Sequence, residues 1–265
     1  MTRPTLILTR PAADGASWQD FFQAQGWSTL SWPLIEIQAL ATPENRLLMA
    51  WQTLAEHQAA MFVSRAAAQH FFAARPLGLT WPQHTRAWCT GPGTRQALLD
   101  QGLAQGQIDQ PAPGASLDTE HLWPVVQAQI KPEGRVLFVR GTDADPQNAS
   151  QGAAGVGRDW LAQQVTEQGA QVAWAIAYRR ACPIWDRRQI ERAQAAAVDG
   201  SIWLFSSAQA LVHLQSLLPQ QVWTRAAAVA THPRIGAQAQ AMGFQPVWTC
   251  TPQPSAILAL LKSLS

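Results

Sequence analysis

The fold is decided by the run FVSRA (62–66), because a similar pattern returns as FSSAQ (205–209). In each run an apolar segment ends in a hydroxyl residue and turns into an alanine-rich segment, which is typical of a strand followed directly by a helix. Self-similarity at such long range indicates duplicated structural units. The chain is therefore expected to contain two related halves built from strand–helix pairs.

Two further pairs of segments repeat in the same order. Strand, arginine, loop and aromatic-bearing helix follow one another around Arg10 and again around Arg140. The third pair is CTGPGTRQALLDQG (89–102) and ATHPRIGAQAQAMG (230–243), which share a proline, a basic residue and a closing glycine. The chain thus contains two sets of three units. Alternating strands and helices predict an α/β fold of two similar lobes, each with a parallel sheet flanked by helices.

Two β-prone runs interrupt this order symmetrically and define the expected domain boundaries. They fall at 34–38 and 174–180, and their pairing would form a two-stranded β connector. Lobe one would then contain 1–33 together with 181–265, and lobe two would contain 39–173. A chain that crosses such a connector twice permits the lobes to open and close on a ligand.

The expected first helix has signals at both ends. Asp14 is the expected N-cap at its start, and Trp18, Phe21 and Phe22 share one helical face. Gly26 stands where a left-handed residue ends a helix. A second strand is expected from Trp27.

The composition excludes several classes of partner. The chain has 265 residues, 47% of them apolar, and its formal net charge of +2 is too small to favour nucleic acid or a membrane. Neither a secretory signal nor a membrane-spanning run is recognised, so we expect a cytoplasmic protein. The three cysteines are far apart and the six histidines include no pair at metal-ligand spacing, so we expect no metal. No P-loop or G-x-S-x-G elbow occurs, which disfavours nucleotide binding and serine-hydrolase chemistry.

Candidate binding residues stand where the predicted strands turn into helices. In a parallel sheet these turns gather at one edge, and each helix N-terminus offers backbone N–H groups that favour an anion. Their repetition in both halves suits a ligand with many distributed carboxylates better than one compact phosphate. The predicted substrate-binding residues are Thr9, Arg10, Ser64, Arg65, Gly91, Thr94, Arg140, Gly141, Arg158, Ser206, Ser207 and Arg234.

These candidates have structural alternatives. A lone serine or threonine at a strand end is often only an N-cap, which stabilises a helix by about 1 kcal/mol. Arg10 and Arg140 could be solvated loop charges, but their equivalent placement in two copies favours anion contact. Tyr178, the only tyrosine, fits equally an amphipathic packing residue and a functional hydroxyl near the expected connector. His213 and His232 are expected to be structural or surface residues rather than catalytic bases.

Eight motifs taken together resemble uroporphyrinogen-III synthases. They are ILTRP (7–11), the run from Gly26 to Ile37, FVSRAA (62–67), CTGPGT (89–94), LFVRG (137–141), the run ending at Tyr178-Arg179, FSSAQA (205–210) and HPRIGAQAQAMGF (232–244). Each motif is short, but their number, order and spacing cover nearly the whole chain. The chain departs from the family in an enlarged loop after Arg140 and in HPRI (232–235), where some relatives carry more hydroxyl residues.

The resemblance implies a two-lobed α/β enzyme that needs no cofactor. Members of this family are lyases that cyclise hydroxymethylbilane, a linear tetrapyrrole with many carboxylates, to uroporphyrinogen III in haem biosynthesis. Water is lost and the terminal pyrrole is inverted. By the same resemblance Tyr178 matches the catalytic tyrosine proposed to assist departure of the hydroxyl.

The expected enzyme is a monomer that makes at most transient contact with the preceding enzyme of its pathway. An alternative from a different class is a cytosolic two-lobed binding protein or sensor that closes on an acidic small molecule without catalysis. The two differ in one observable, which is conversion of hydroxymethylbilane.

Overall fold

The computed structural model describes residues 4–40, 45–143 and 160–264. The chain separates into two compact units. Unit 1 consists of Met1–Glu36 and Ala181–Ser265, and unit 2 consists of Ile37–Arg180. The division therefore falls inside the first run expected to form the connector and directly after the second.

The described residues form eleven strands and ten α-helices. The strands are β1 (Leu6–Leu8), β2 (Thr29–Ser31), β3 (Glu36–Ala39), β4 (His57–Phe62), β5 (Arg86–Cys89), β6 (Ile108–Asp109), β7 (Arg135–Thr142), β8 (Gln171–Ala181), β9 (Ile202–Phe205), β10 (Ala227–Ala230) and β11 (Val247–Thr249). The helices are α1 (Ala12–Ala24), α2 (Asn45–Gln52), α3 (Arg65–Ala73), α4 (Pro92–Asp100), α5 (Thr119–Val126), α6 (Trp160–Glu167), α7 (Arg187–Ala196), α8 (Ala208–Leu217), α9 (Pro233–Ala241) and α10 (Pro254–Ser263). Within 4–40, 45–143 and 160–264, no helix combines the length and the apolar character needed to cross a membrane.

The two units have the same sheet topology. Unit 1 holds a five-stranded sheet in the order β11-β10-β9-β1-β2, and unit 2 holds a six-stranded sheet in the order β3-β8-β7-β4-β5-β6. All neighbouring strands of the five-stranded sheet are parallel, and so are the neighbours in the order β8-β7-β4-β5-β6 of the six-stranded sheet. When β3 is set aside, the orders correspond strand by strand, with β1 matching β7, β9 matching β4 and β10 matching β5. The sequence repeat is thus confirmed as a structural repeat.

The runs expected to form the connector belong to β3 and β8. These strands are neighbours at one end of the six-stranded sheet, and β8 also pairs with β7. A side-chain bond joins them, because Arg179 Nη2 donates to Gln38 Oε1 at 2.8 Å. The strand β8 pairs with β7 from Gln171 to Arg179 and therefore forms part of the unit 2 sheet over nearly all of its eleven residues.

Both sheets bury side chains on both faces. In β4, Ala60 and Phe62 pack in the core that includes residues of α3 and α4. Ala59 and Met61 point the other way, into a core that includes residues of α5 and α6. Such alternation follows from the two-residue period of a strand, and burial on both sides is typical of parallel sheets.

The start of α1 differs from the sequence prediction, and its end agrees. The helix begins at Ala12, because the Pro11 carbonyl already accepts the N–H groups of Asp14 and Gly15, both at 2.9 Å. The prediction that Asp14 caps the helix is therefore wrong; its carboxylate lies in the first turn, near the positive end of the helix dipole. Gly26 has a φ of 76°, which confirms the left-handed position expected there.

His57 at the start of β4 is a buried histidine with only one satisfied ring nitrogen. Its exposed fraction is 2%, and Nδ1 donates to the Thr53 carbonyl at 2.9 Å, since that oxygen can only accept. The other nitrogen, Nε2, is buried and has no hydrogen-bond partner in the part of the chain that the structure describes. Burial, the largest cause, lowers the pKa of His57, because a proton on Nε2 would place a charge there without solvent.

We expect this histidine to make the fold sensitive to acid. As the pH falls below about 6.5, the unfolded chain takes up a proton that the folded His57 resists, so the free energy of unfolding decreases. His57→Asn keeps a short N–H donor for the Thr53 carbonyl but cannot titrate. Urea unfolding at about pH 7 and about pH 5 should show a smaller loss of stability in His57→Asn than in the unchanged protein. Equal losses in the two proteins would contradict this role.

Candidate active site

Tyr178 and Ser64 form the centre of a candidate site in unit 2. Tyr178 lies near the end of β8 with an exposed fraction of 3%, and its hydroxyl is 3.0 Å from Ser64 Oγ. Ser64 is the N-cap of α3, and its Oγ accepts the N–H of Ala67 at 3.1 Å. That bond uses an acceptor position of Ser64, so its hydroxyl hydrogen can be donated to the Tyr178 oxygen. In this arrangement the phenol proton is free for a third group.

Gly141 creates the space that the Tyr178 ring occupies. The two residues are partners across β7 and β8, where the register shifts between Arg140 and Gly141. A Cβ atom at position 141 would lie 2.4 Å from Tyr178 Cζ and 2.5 Å from Cε2, which no real Cβ tolerates. The aromatic ring therefore rests directly on the backbone of Gly141. Contact between Gly141 and a substrate remains a prediction, whereas its contact with Tyr178 explains why this position needs glycine.

Arg65 lies where two helices begin. It is the first residue of α3, and its Nη2 would be 3.0 Å from a Cβ placed on Gly93 in the first turn of α4. The helices α3 and α4 follow the adjacent parallel strands β4 and β5, so both begin at the same sheet edge. Gly91 is the N-cap of α4, and Thr94 is buried in its first turn. The helix N-termini and the guanidinium together favour a carboxylate at this edge.

Arg10 and Arg140 are equivalent residues of the repeat, and both lie over a tryptophan. Arg140 Cζ is 4.2 Å from the ring centroid of Trp174, and Arg10 Cζ is 4.3 Å from that of Trp18. The tryptophans come from different elements, since Trp174 is in β8 and Trp18 is in α1. Cation–π contact of this kind restrains the position of a guanidinium.

Three hydroxyl residues of unit 1 have different environments. Thr9 has an exposed fraction of 1%, and its Oγ1 donates to the Leu204 carbonyl at 2.6 Å, so it ties β1 to β9. Ser207 Oγ accepts the N–H of Gln209 at 3.2 Å and caps α8. These contacts fit the structural alternative for both residues. Ser206 Oγ is buried and has no hydrogen-bond partner among the described residues.

The two histidines that the sequence assigned to structure have structural contacts. His232 is the N-cap of α9, and its Nδ1 accepts the N–H of Arg234 at 3.1 Å. His213 is buried, and its Nδ1 donates to the Leu34 carbonyl at 2.6 Å while Nε2 accepts from Gln209 at 2.9 Å. Arg234 is exposed at the start of α9. Both ring nitrogens of His213 are therefore engaged in hydrogen bonds, whereas for His232 these bonds engage Nδ1 alone.

The structure divides the predicted site residues between the units. The residues of unit 2 gather at the carboxyl ends of β4, β5, β7 and β8, and they are Ser64, Arg65, Gly91, Thr94, Arg140, Gly141 and Tyr178. The residues of unit 1 follow β1, β9 and β10, and they are Thr9, Arg10, Ser206, Ser207 and Arg234. Arg158 lies outside the described residues. In the described ranges, no group of three or more His, Cys, Asp or Glu side chains is placed to hold a metal ion.

A family model described as uroporphyrinogen-III synthase HemD matches residues 16–259 of this chain. The chain belongs to the uroporphyrinogen-III synthase family. The family and the enzyme class predicted from the sequence, a cyclising lyase of tetrapyrrole biosynthesis, are thereby confirmed.

Solved uroporphyrinogen-III synthases have the same fold. The uroporphyrinogen-III synthetase of Helicobacter pylori superposes with a TM-score of 0.58 at 16% identity, with 100% of each chain covered. A substituted form of the enzyme from Thermus thermophilus gives a TM-score of 0.53 at 16% identity, with 98% of each chain covered. This likeness confirms the predicted α/β fold with parallel sheets flanked by helices.

His70 is a residue of this candidate site that was not predicted from the sequence. Its imidazole stacks on Tyr178, with ring centroids 5.8 Å apart and an angle of 27° between the planes. A signal was present, because His70 follows Ala67 by three residues and so lies beside the buried face of α3. The sequence could not predict that His70 contacts Tyr178, because the two residues are far apart in the chain.

We expect Gly141→Ala to damage the synthase site through Tyr178. The added methyl group must displace the Tyr178 ring, so overpacking should lower the free energy of unfolding by about 1–3 kcal/mol. The displaced hydroxyl should lose its hydrogen bond to Ser64, and turnover should fall as a result. Gly106→Ala is the matched control, because nothing lies within 4 Å of the added atom. Thermal unfolding and turnover of the two variants provide the measurement, and equal behaviour of the two would refute the steric argument.

Proposed function

We propose that this chain converts hydroxymethylbilane to uroporphyrinogen III, with Tyr178 assisting departure of the terminal hydroxyl. The family match over residues 16–259 carries the proposal. The hydrogen bond between Tyr178 and Ser64 gives it a chemical centre, because with Ser64 as the donor the buried phenol keeps a proton to donate.

The first chemical step needs a hydrogen-bond donor at the leaving hydroxyl. The C–O bond breaks as the pyrrole nitrogen supplies electrons and loses its N–H proton to form an azafulvene, and the departing oxygen takes up one proton and leaves as water, so that the two protons balance. A phenol is a weak acid, so hydrogen bonding to the departing oxygen suits Tyr178 better than full proton transfer. Ser64 supports this role when it donates to the phenol oxygen, since a donor there polarises the phenol O–H bond.

The later steps depend on geometry. The far pyrrole attacks the azafulvene through its already substituted carbon, and the resulting spiro intermediate reopens and recloses with that ring inverted. Spontaneous closure proceeds without inversion. The enzyme must therefore hold a flexible chain so that one carbon is nearer than another, which is an orientation effect.

The arginines and helix N-termini are the groups proposed to hold the substrate carboxylates. In unit 2 these are Arg65 beside the start of α4 and Arg140 over Trp174. Unit 1 contributes Arg10 over Trp18. A guanidinium can bind a carboxylate through two parallel hydrogen bonds, and its contact with a tryptophan reduces the entropy lost on binding.

The remaining features of the proposal concern the organisation of the enzyme. The lobes 1–33 with 181–265 and 39–173, joined at 34–38 and 174–180, are proposed as its two domains. We propose that it works as a monomer in the cytoplasm, with a small molecule as its only obligatory partner. The net charge of +2 supports a small acidic substrate over nucleic acid. Sedimentation of the pure protein tests the monomer.

The decisive experiment is incubation of the pure protein with fresh hydroxymethylbilane, followed by separation of the uroporphyrinogen isomers. Formation of isomer III above the spontaneous background supports the synthase. A protein that binds hydroxymethylbilane but leaves only isomer I would instead be the non-catalytic binding protein.

We expect Tyr178→Phe to lower kcat by roughly 10- to 100-fold, which corresponds to about 1.4–2.7 kcal/mol of lost transition-state stabilisation. The ring keeps its place on Gly141, so KM should change little. Ser216→Ala, which removes an exposed hydroxyl from α8, is the control for hydroxyl deletion. Unchanged turnover in Tyr178→Phe would remove this residue from the mechanism.

We expect Arg10→Ala, Arg65→Ala and Arg140→Ala each to raise KM by about tenfold or more, since a charge-assisted hydrogen bond contributes about 1.5–3 kcal/mol. The dependence of KM on salt should weaken in the same variants, because one ionic contact is lost. Arg187→Ala removes a highly exposed arginine of α7 and is the matched control. Steady-state kinetics at two salt concentrations test the assignment, which fails if the site variants behave like Arg187→Ala.

A further inference from the structure

Helix α3 contacts Tyr178 at two places. Ser64, at its start, meets the hydroxyl at 3.0 Å. His70, more than one turn later, stacks its imidazole on the phenol ring at a centroid distance of 5.8 Å. The chemistry proposed for Tyr178 uses the first contact and gives no role to the second.

The Tyr178 ring needs a second support because of its place on Gly141. Glycine offers only backbone to the ring, so no side chain at that position of β7 restrains it. The ring packs in the core of unit 2, and the hydrogen bond at its hydroxyl does not by itself fix the plane of the ring. The near-parallel imidazole supplies a surface that limits rotation of the ring.

The stack is formed by an uncharged imidazole near neutral pH. His70 is partly buried, and that burial lowers its pKa. A neutral ring holds the phenol without stabilising the phenolate, whereas an imidazolium would favour loss of the proton that Tyr178 needs to donate. The contact therefore suits a residue that orients the phenol.

We propose that His70 is a positioning residue, whose stacking on Tyr178 holds the phenol hydroxyl at Ser64 and in line with the leaving hydroxyl of the substrate. This inference rests on the proposed function. Small displacements of a catalytic group are costly when a reaction depends on orientation, so the effect should appear in kcat rather than in binding.

The test compares His70→Ala with His70→Phe. The alanine variant removes the stacked ring, and we expect kcat to fall by about 5- to 20-fold with KM changed by less than about twofold. The share of isomer III in the product should fall with it. The phenylalanine variant keeps a flat, uncharged ring and should retain at least about half of the original kcat. Gln69→Ala, at the exposed neighbouring position of α3, is the matched control and should act like the unchanged enzyme.

A spectroscopic measurement follows the phenol independently of turnover. Tyr178 is the only tyrosine, so enzyme labelled with fluorotyrosine gives a fluorine NMR signal from this position alone. Loss of the stacked ring in His70→Ala should shift that signal and narrow it as the phenol gains freedom. The signals of His70→Phe and Gln69→Ala should stay close to that of the unchanged enzyme.

The outcomes distinguish failure of the role proposed for His70 from failure of the proposed synthase activity. If the unchanged enzyme makes isomer III and His70→Ala matches it in kcat and isomer ratio, the inference is overturned and the proposed function stands. A His70→Phe variant that loses as much kcat as His70→Ala overturns it as well. If the unchanged enzyme makes only isomer I, the proposed function fails and the inference with it. Should His70→Ala not fold, His70→Asn provides the same comparison with a side chain too short to cover the ring.

Discussion

The close contact between the Tyr178 ring and the Gly141 backbone is the constraint on which the candidate site depends. It requires two neighbouring parallel strands, a register shift after Arg140 and a residue without a side chain. Once the ring lies there, its hydroxyl reaches Ser64, so the N-cap of α3 contacts the residue proposed to act in catalysis. One sheet position therefore links the local ending of a strand, the beginning of a helix and the phenol group proposed to assist the reaction.

The duplicated topology of the two units does not extend to equal roles for equivalent residues. Ser64 and Ser207 both cap the helix that follows the corresponding strand, but only Ser64 meets a tyrosine. Arg10 and Arg140 keep the same relation to a tryptophan although the tryptophans belong to different elements. Duplication thus preserved the places that suit anion contact, while the single tyrosine confines the chemistry proposed for it to unit 2.

The sequence predicted features that are local or repeated, but it could not predict contacts that depend on the register between paired strands. Capping by Ser64 and Ser207 and the left-handed Gly26 were readable because each follows from the few residues around it. Asp14 was misread because Pro11 starts the helix earlier through its carbonyl. The approach of Gly141 and His70 to Tyr178 could not be read, since strand pairing brings together residues that no local pattern relates.

The order of strands in unit 1 has a consequence for biosynthesis on the ribosome. Its interior strand β1 pairs with the central strand β9, and the bond from Thr9 to Leu204 spans 195 positions of the chain. Unit 2 is continuous, so all of its strands emerge before the later strands of unit 1 are made. The nascent N-terminal segment must therefore wait with apolar residues uncovered, a state in which chaperones protect growing chains from aggregation.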